Sequence, residues 1–414
     1  MYMKEKLTKY NIQTKLLFVI IILYLFTVPF GIVFKSFEDS REFLKPPLIN
    51  LSFLTSLILL LSILSLKRIQ FKVIDSLLLV LFIYISLVTL LFTNNLSNSL
   101  YSIILFLSNI LLVISIENIK IKRSTVHSFF YILAIGSLIS SLATIVDGIG
   151  IFNIPYFNEK SSFLNEYDVY AITGPFLRRT SMGAFYIIIL ITNLLSFFYY
   201  KKIIYGLSLF FSLIAIILTF NRSAPLALVI IFLIFIFKRY HINLFNIFKI
   251  IILTTVMSTL IMIFIPNKQN KVVKTKLLTT LFIENKTNAQ READNLRLEV
   301  FHQIITKDIT NNPLGYGFHD FYFDKMNKNV NVHSNLNLLL YATGIFGVFW
   351  IMFFLYYLYK TSKKIVSKEG IIIKYSLFGW LLYSLVHTTI STFLAWLFLG
   401  LILNKEISNV SKSE

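Results

Sequence analysis

Apolar runs long enough to cross a bilayer recur along this chain from Leu16 to Leu403, and no other feature narrows the choice of fold so far. A hydrocarbon core about 30 Å thick takes roughly 17–25 residues of helix. Within it every backbone N–H and C=O must find a partner inside the protein, and the runs show no strand-like alternation, so a buried helical bundle is expected. Hydrophobic residues make up 56% of the 414 positions and charged ones 14%, more apolar surface than a water-soluble fold could hide. The chain therefore reads as an all-α, polytopic integral membrane protein, with residues 1–414 forming a single transmembrane domain.

Spans are predicted near 16–34, 48–66, 73–92, 100–116, 128–147, 182–200, 203–220, 224–237, 245–265, 333–359, 371–387 and 390–404. That is about 12 helices with both ends on the cytoplasmic side. Residues 371–404 barely accommodate two crossings and leave a re-entrant hairpin as an alternative. The first run follows a stretch with Lys4, Lys6, Lys9 and Lys15 and lacks a small-residue cleavage site, so it reads as an uncleaved span.

The formal charge of +19 does not point to nucleic acid, because the basic residues are scattered through short loops. Lys67-Arg68, Lys120/Lys122/Arg123, Lys201-Lys202, Lys238-Arg239 and Lys360/Lys363/Lys364 follow every second span, which is the pattern of cytoplasmic loops. Two longer segments fall outside, 148–181 and a large, partly helical extracytoplasmic loop at 266–332. With no cysteine in the chain, disulfides, thiolate metal sites and a cysteine nucleophile are excluded. There is no GxxxxGK[ST] for ATP, no HExxH for zinc and no DxD pair for a metal-bound nucleotide sugar, so no metal ligands and no cofactor are assigned. Any reaction has to draw on a substrate that is already activated.

Four constellations carry chemistry. Thr219-Phe220-Asn221-Arg222-Ser223-Ala224-Pro225 is a turn between two apolar helices on the outer side. Only roughly 22 Å of helix separates Arg222 from the cytoplasmic Lys238, so the arginine is expected below the outer surface. Pro225 suits a first helical turn, with Asn221 or Ser223 as the cap, and the free N–H groups beside a guanidinium would make an anion pocket. The alternative is that Arg222 snorkels to lipid headgroups.

Residues 291–306 read as an amphipathic helix with Ala293, Leu296, Val300, Phe301, Ile304 and Ile305 on its apolar face. Asp294 and Arg297 fall on that side too, as i,i+3 neighbours able to pair. An arginine turned toward a buried stripe needs a partner. Either the Asp294–Arg297 pair pins the loop to the bundle, or Arg297 meets a substrate phosphate with Asp294 orienting it.

Asn312-Pro313-Leu314-Gly315-Tyr316-Gly317 is followed by His333-Ser334 opening a span, with Asn337 and Tyr341 at four-residue spacing and then Gly344 and Gly347. Neutral imidazole accepts a proton near physiological pH, so His333 is a candidate base for a hydroxyl; a hydrogen-bonding anchor at the membrane interface is the other reading. Arg178 and Arg179, just before a span on the outer side, run against the positive-inside trend and suit either an anionic ligand or lipid headgroups.

The order of these features from about Arg178 to Gly347 resembles the O-antigen ligase/polymerase superfamily, whose ligases attach glycans carried on undecaprenyl diphosphate and whose Wzy-type polymerases extend them. The resemblance implies an inverting, metal-independent glycosyltransferase in the bacterial cytoplasmic membrane, its site facing outward. Arg178 or Arg179, Arg222 and Arg297 would hold the donor's diphosphate, Asp294, Asn337 and Tyr341 would support substrate binding, and His333 would activate the acceptor hydroxyl. The implied partners are an undecaprenyl-diphosphate-linked glycan, the bilayer and, as a further candidate, a chain-length regulator. A polymerase making surface polysaccharide (O-antigen or capsule) is the leading expectation. A ligase with another acceptor and a flippase or transporter of lipid-linked oligosaccharide are its rivals, the last expected to show inverted repeats and midplane charges that this sequence lacks.

Overall fold

A computed structural model describes residues 12–27, 57–64, 70–92, 96–149, 162–164, 169–171, 179–219, 221, 223–239, 288–318, 321–324, 328–330, 332, 334–387 and 392–408. The main helices are α1 (Ile12–Thr27), α2 (Val73–Phe92), α3 (Leu96–Asn118), α4 (Arg123–Ile149), α5 (Arg179–Tyr200), α6 (Ile203–Leu218), α7 (Ser223–Arg239), α8 (Asn288–Gln303), α9 (Ile309–Asn311), α10 (Asn335–Lys363), α11 (Lys368–Ser384), α12 (Phe393–Leu403) and α13 (Lys405–Ser408). The expected span at 245–265 lies outside the described residues, and of 48–66 only 57–64 is described, as helix. Two short antiparallel pairs, β1 (Ser162–Leu164) with β2 (Val169–Ala171) and β3 (Phe321–Phe323) with β4 (Lys328–Val330), interrupt the two long loops. The protein is an all-α polytopic membrane protein with these hairpins as local exceptions.

Length and outward faces both fit a bilayer. Among the described residues Val73–Phe92, Arg123–Val146, Met182–Tyr200 and Asn335–Lys363 are long and apolar enough to cross. In α2, Ile74, Leu78, Leu81, Ile85 and Val88 pack inward, whereas Val80, Ile83, Leu87 and Leu91 are exposed on the opposite face. A soluble helix would put polar residues there; an apolar exposed stripe is a surface for lipid. The α5 helix is the opposite case, buried on all sides from Met182 to Ile191. The α12 helix is short, about 16 Å at 1.5 Å per residue, yet every one of its residues is buried, so it has no lipid thickness to match.

Apolar burial cannot drive helices together when the surrounding lipid is equally apolar, so packing and interhelical hydrogen bonds matter more. Between α4 and α6, Ser137 Oγ meets Ser208 Oγ at 2.7 Å and Ser141 Oγ meets Ser212 Oγ at 3.0 Å, one turn apart on both helices. Asn193 of α5 donates to Ser208 at 2.7 Å, and Thr192 joins Ser376 of α11 at 2.9 Å. These small residues let backbones approach closely and place α5 at the centre.

The starts of α2 and α4 and the ends of α3 and α12 gather at one end of the bundle, the basic end. Lys72 Nζ lies 2.5 Å from Glu117 Oε1 and donates to Leu403 O, while its backbone N–H donates to Asp75 Oδ2 at 2.8 Å. Asn404 Nδ2 donates to Ile116 O and Ile119 O, both at 2.7 Å, closing the end of α3. Asp75 and Glu117 are both buried, so Lys72 supplies a cation between two carboxyls that water cannot reach. Removing one partner of a buried pair leaves an uncompensated charge at about 3–5 kcal/mol. Because Lys72 itself is 31% exposed, Lys72→Met is expected to destabilise the detergent-solubilised protein by less than that in unfolding titrations, and a loss under about 1 kcal/mol would contradict this role.

Candidate functional site

The site region lies at the end of the bundle opposite Lys72, where the large loop re-enters. There α10 is broken: Gly344 sits at φ 56°, ψ −139° inside an otherwise continuous helix. Such a break frees helix carbonyls, which the membrane interior tolerates only when protein supplies new donors. The loop does so through its backbone. Tyr316 N–H donates to Tyr341 O and Gly317 N–H to Ala342 O, both at 2.9 Å, and Ile345 N–H donates back to Pro313 O at 3.0 Å. Gly315 (φ 83°) and Gly317 (φ 68°) adopt the left-handed region that permits this path.

The fit is backbone against backbone. A Cβ on Gly344 would come within 2.0 Å of Pro313 O, one on Gly315 within 2.6 Å of Ala342 O, and one on Gly317 within 2.4 Å of Thr89 Cα. On the α2 side, Phe318 N–H donates to Thr89 Oγ1 and Tyr84 OH donates to Leu314 O, both at 2.8 Å. Tyr316 stacks on Tyr341 with ring centres 5.1 Å apart. The motif that reads in sequence as a turn is thus a plug in a broken helix. It leaves Asn335–Thr343 as a separate half-helix, capped by Ser334 Oγ, which accepts from Asn337 N–H at 3.0 Å.

The loop helix α8 docks on that half-helix. Val300 and Ile304 are buried in a small cluster with Val332, Leu340 and Tyr341. The predicted apolar face is narrower than its sequence suggests: Phe301 is 36% exposed and Ile305 44%. A π-helical turn at Ile304–Asp308 widens the winding at that point, so the simple 100° projection fails beyond Ile304. Arg297, three residues before Val300, is half-buried, as is Glu299.

The π turn also half-buries Asp308, and this burial pushes its carboxyl up to about 6; Asp324 adds to the rise, while the Gln303 side chain and Lys307 oppose it. A carboxyl that binds its proton more tightly when folded favours folding below its ordinary 3.8, and that contribution disappears as pH rises through about 6. Asp308→Asn is expected to raise the thermal midpoint at neutral pH and to leave it unchanged near pH 4. Melts at the two pH values check the sign.

The third component is the α6–α7 hairpin. Asn221 Oδ1 accepts from the N–H groups of Ser223 and Ala224 at 3.1 and 3.3 Å, which makes Asn221 the cap of α7, with Pro225 in the first turn as expected. Asn221 Nδ2 donates to Tyr383 OH at 2.6 Å. Gly183 of α5 lies against the same pair, since a Cβ there would be 2.1 Å from Tyr383 OH and 2.3 Å from Asn221 Nδ2. His387 Nε2 and Ser223 Oγ share a hydrogen bond of 3.0 Å. Arg179 begins α5 one turn before Gly183, and Arg222 stands between Asn221 and Ser223 in the chain, so the segments bearing both arginines meet here.

The α10 helix of the first group and the α11 helix of the second line one apolar cleft of about 130 Å³. Asn335 and Leu336 from the start of α10 line it, as do Ser384 and Leu385 from the end of α11. Arg178, Arg222 and His333 themselves lie outside the described residues, as do the side-chain positions of Arg179 and Asp294. The α10 helix begins after Ser334, and Asn337 and Tyr341 lie within it one turn apart. Asn337 and Tyr341 are both buried, and the Asn337 backbone N–H donates to Ser334 Oγ.

Tyr383 and His387 were missed in sequence. His387 could have been noticed as a titratable group closing a span at the loop end, but nothing local ties it to a hairpin more than 150 residues away. Among the described residues no three His, Asp or Glu side chains are grouped to hold a metal ion. Replacing Gly344 by alanine is expected to expel the 312–317 segment, costing at least about 2–3 kcal/mol and speeding proteolysis in the loop. Unchanged proteolysis would mean that the plug does not hold the loop.

No curated protein and no solved structure matches the chain. Residues 207–352, a segment that runs from within α6 past the Gly344 break, match the family model described as O-antigen ligase, and over that segment the chain is similar to this family.

Proposed function

We propose that this protein is a membrane glycosyltransferase that polymerises undecaprenyl-diphosphate-linked repeat units into a surface polysaccharide at the outer face of the bacterial cytoplasmic membrane. The observation that carries the reading is the meeting of elements at the loop end. The starts of α5 and α7 come together at the Asn221–Tyr383 hydrogen bond, α8 docks beside Val332, and the helices that receive them, α11 and α10, line one cleft. Those elements carry Arg179, Arg222 and Arg297 and lead to His333.

In this reading the arginines neutralise the diphosphate of the donor, which needs no nucleotide or metal to leave. His333 takes the proton of the acceptor hydroxyl, whose oxygen attacks the anomeric carbon of the donor sugar from the face opposite the diphosphate. The carbon–oxygen bond to the diphosphate breaks, the configuration inverts, and undecaprenyl diphosphate departs with the electron pair. The half-helix after Ser334 would hold the base on a rigid support that the 312–317 plug braces.

Purified protein given a synthetic lipid-diphosphate repeat unit is expected to form polymer without ATP and in the presence of a chelator. Arg297→Ala, Arg222→Ala and His333→Ala should each lower the rate by about 10²–10⁴-fold. Full activity in any of the three would contradict its assignment. In cells lacking the protein, accumulation of single repeats on the carrier supports the polymerase, whereas full-length polymer on the carrier points to the ligase instead.

A further inference from the structure

Both neighbours of Arg222 in the chain are held from one place, the end of α11 and the turn that follows it. Tyr383 and His387 are four residues apart, and His387 N–H donates to Tyr383 O at 3.2 Å, so the two side chains lie on the same helical face. Their rings approach to 4.6 Å. From that face Tyr383 OH accepts from Asn221 Nδ2 at 2.6 Å, and His387 Nε2 bonds Ser223 Oγ at 3.0 Å. Tyr383 is 1% exposed and Asn221 9%, so the first bond is shielded from water. Gly183 closes the cluster from α5, where no larger residue would fit.

We propose that His387 is a positioning residue for the transfer reaction: with Tyr383 it forms a two-point clamp that sets the α6–α7 hairpin, and thereby Arg222, against the donor's diphosphate. The inference rests on the function proposed above. It extends the site beyond residue 352, where the family match ends, to a helix that this match does not cover. One hydrogen bond alone, that of Asn221 to Tyr383, holds the hairpin on only one side of position 222. The second holds it on the far side as well, and small misplacements of a charge-stabilising group are costly to rate.

The test measures affinity for undecaprenyl diphosphate alongside kcat and KM on the lipid-linked repeat. His387→Ala is expected to weaken binding of the lipid diphosphate and to raise KM by about tenfold. His387→Gln, whose amide nitrogen can reach Ser223 Oγ in place of Nε2, should restore both to within about threefold of the parent. Ser223→Ala should reproduce the His387→Ala loss, and the double variant should lose no more than either single one. Parental affinity in His387→Ala, or a loss that glutamine does not recover and that adds to Ser223→Ala, overturns the clamp. Should His387→Ala fail to accumulate, Ser223→Ala with parental affinity overturns it as well. Parent protein that binds undecaprenyl diphosphate yet makes no polymer would defeat the proposed reaction while the affinities still decide the clamp.

Discussion

Backbone hydrogen bonding in a medium without water is the constraint on which the loop end of this protein depends. A helix that breaks at Gly344 strands the carbonyls of Tyr341 and Ala342, and lipid offers them nothing. The loop segment around Gly315 and Gly317 answers with its own N–H groups at 2.9 Å, and it receives the Ile345 N–H in return. The exchange needs both chains to approach closer than any Cβ allows, which is why three glycines sit at positive φ within one small volume. Once the plug is seated, the loop has a defined exit between α2 and α10, α8 has a surface on which to dock, and Ser334 can cap a half-helix pointing toward the cleft.

Polar groups inside the rest of the bundle follow the same accounting. The serines of α4 and α6 pair with one another, Asn193 and Thr192 tie α5 to its neighbours, and Lys72 stands between Asp75 and Glu117 at the basic end. These contacts hold the helices in register where hydrophobicity, equal in lipid and in core, cannot choose among arrangements. The rigid central helix α5 then carries its first turn to the hairpin at Gly183. Electrostatic stabilisation of a leaving group depends on donors held in place before the reaction begins, and such a scaffold meets that need.

The matched segment accounts for the hairpin, the loop helix and the plug, yet it omits the helix that grips the hairpin. Tyr383 and His387 reach back to Asn221 and Ser223 across more than 150 residues, so the carboxyl-terminal spans are part of the site's construction and not simply its outer wall. Their placement also gives a reason for Asn221 and Ser223 themselves: Asn221 accepts both hydrogen bonds of the cap, Ser223 donates one of them, and each makes one bond of the clamp.

The spans were legible in the sequence because crossing a bilayer is a local requirement of length and hydropathy; Val73–Phe92 ends where its apolar run ends. A cap at Asn221 or Ser223 and a tight turn at Gly315 and Gly317 could be read the same way, from residue type and short spacing. What only the tertiary structure decided were the partners: that the glycines serve a broken helix and not a free turn, that a π turn shifts the helix face beyond Ile304, and that His387 belongs beside Ser223. Each of these pairs groups that no sequence period connects, and the pairing is chosen by which unsatisfied backbone or side-chain group happens to lie within hydrogen-bond reach once the helices have packed.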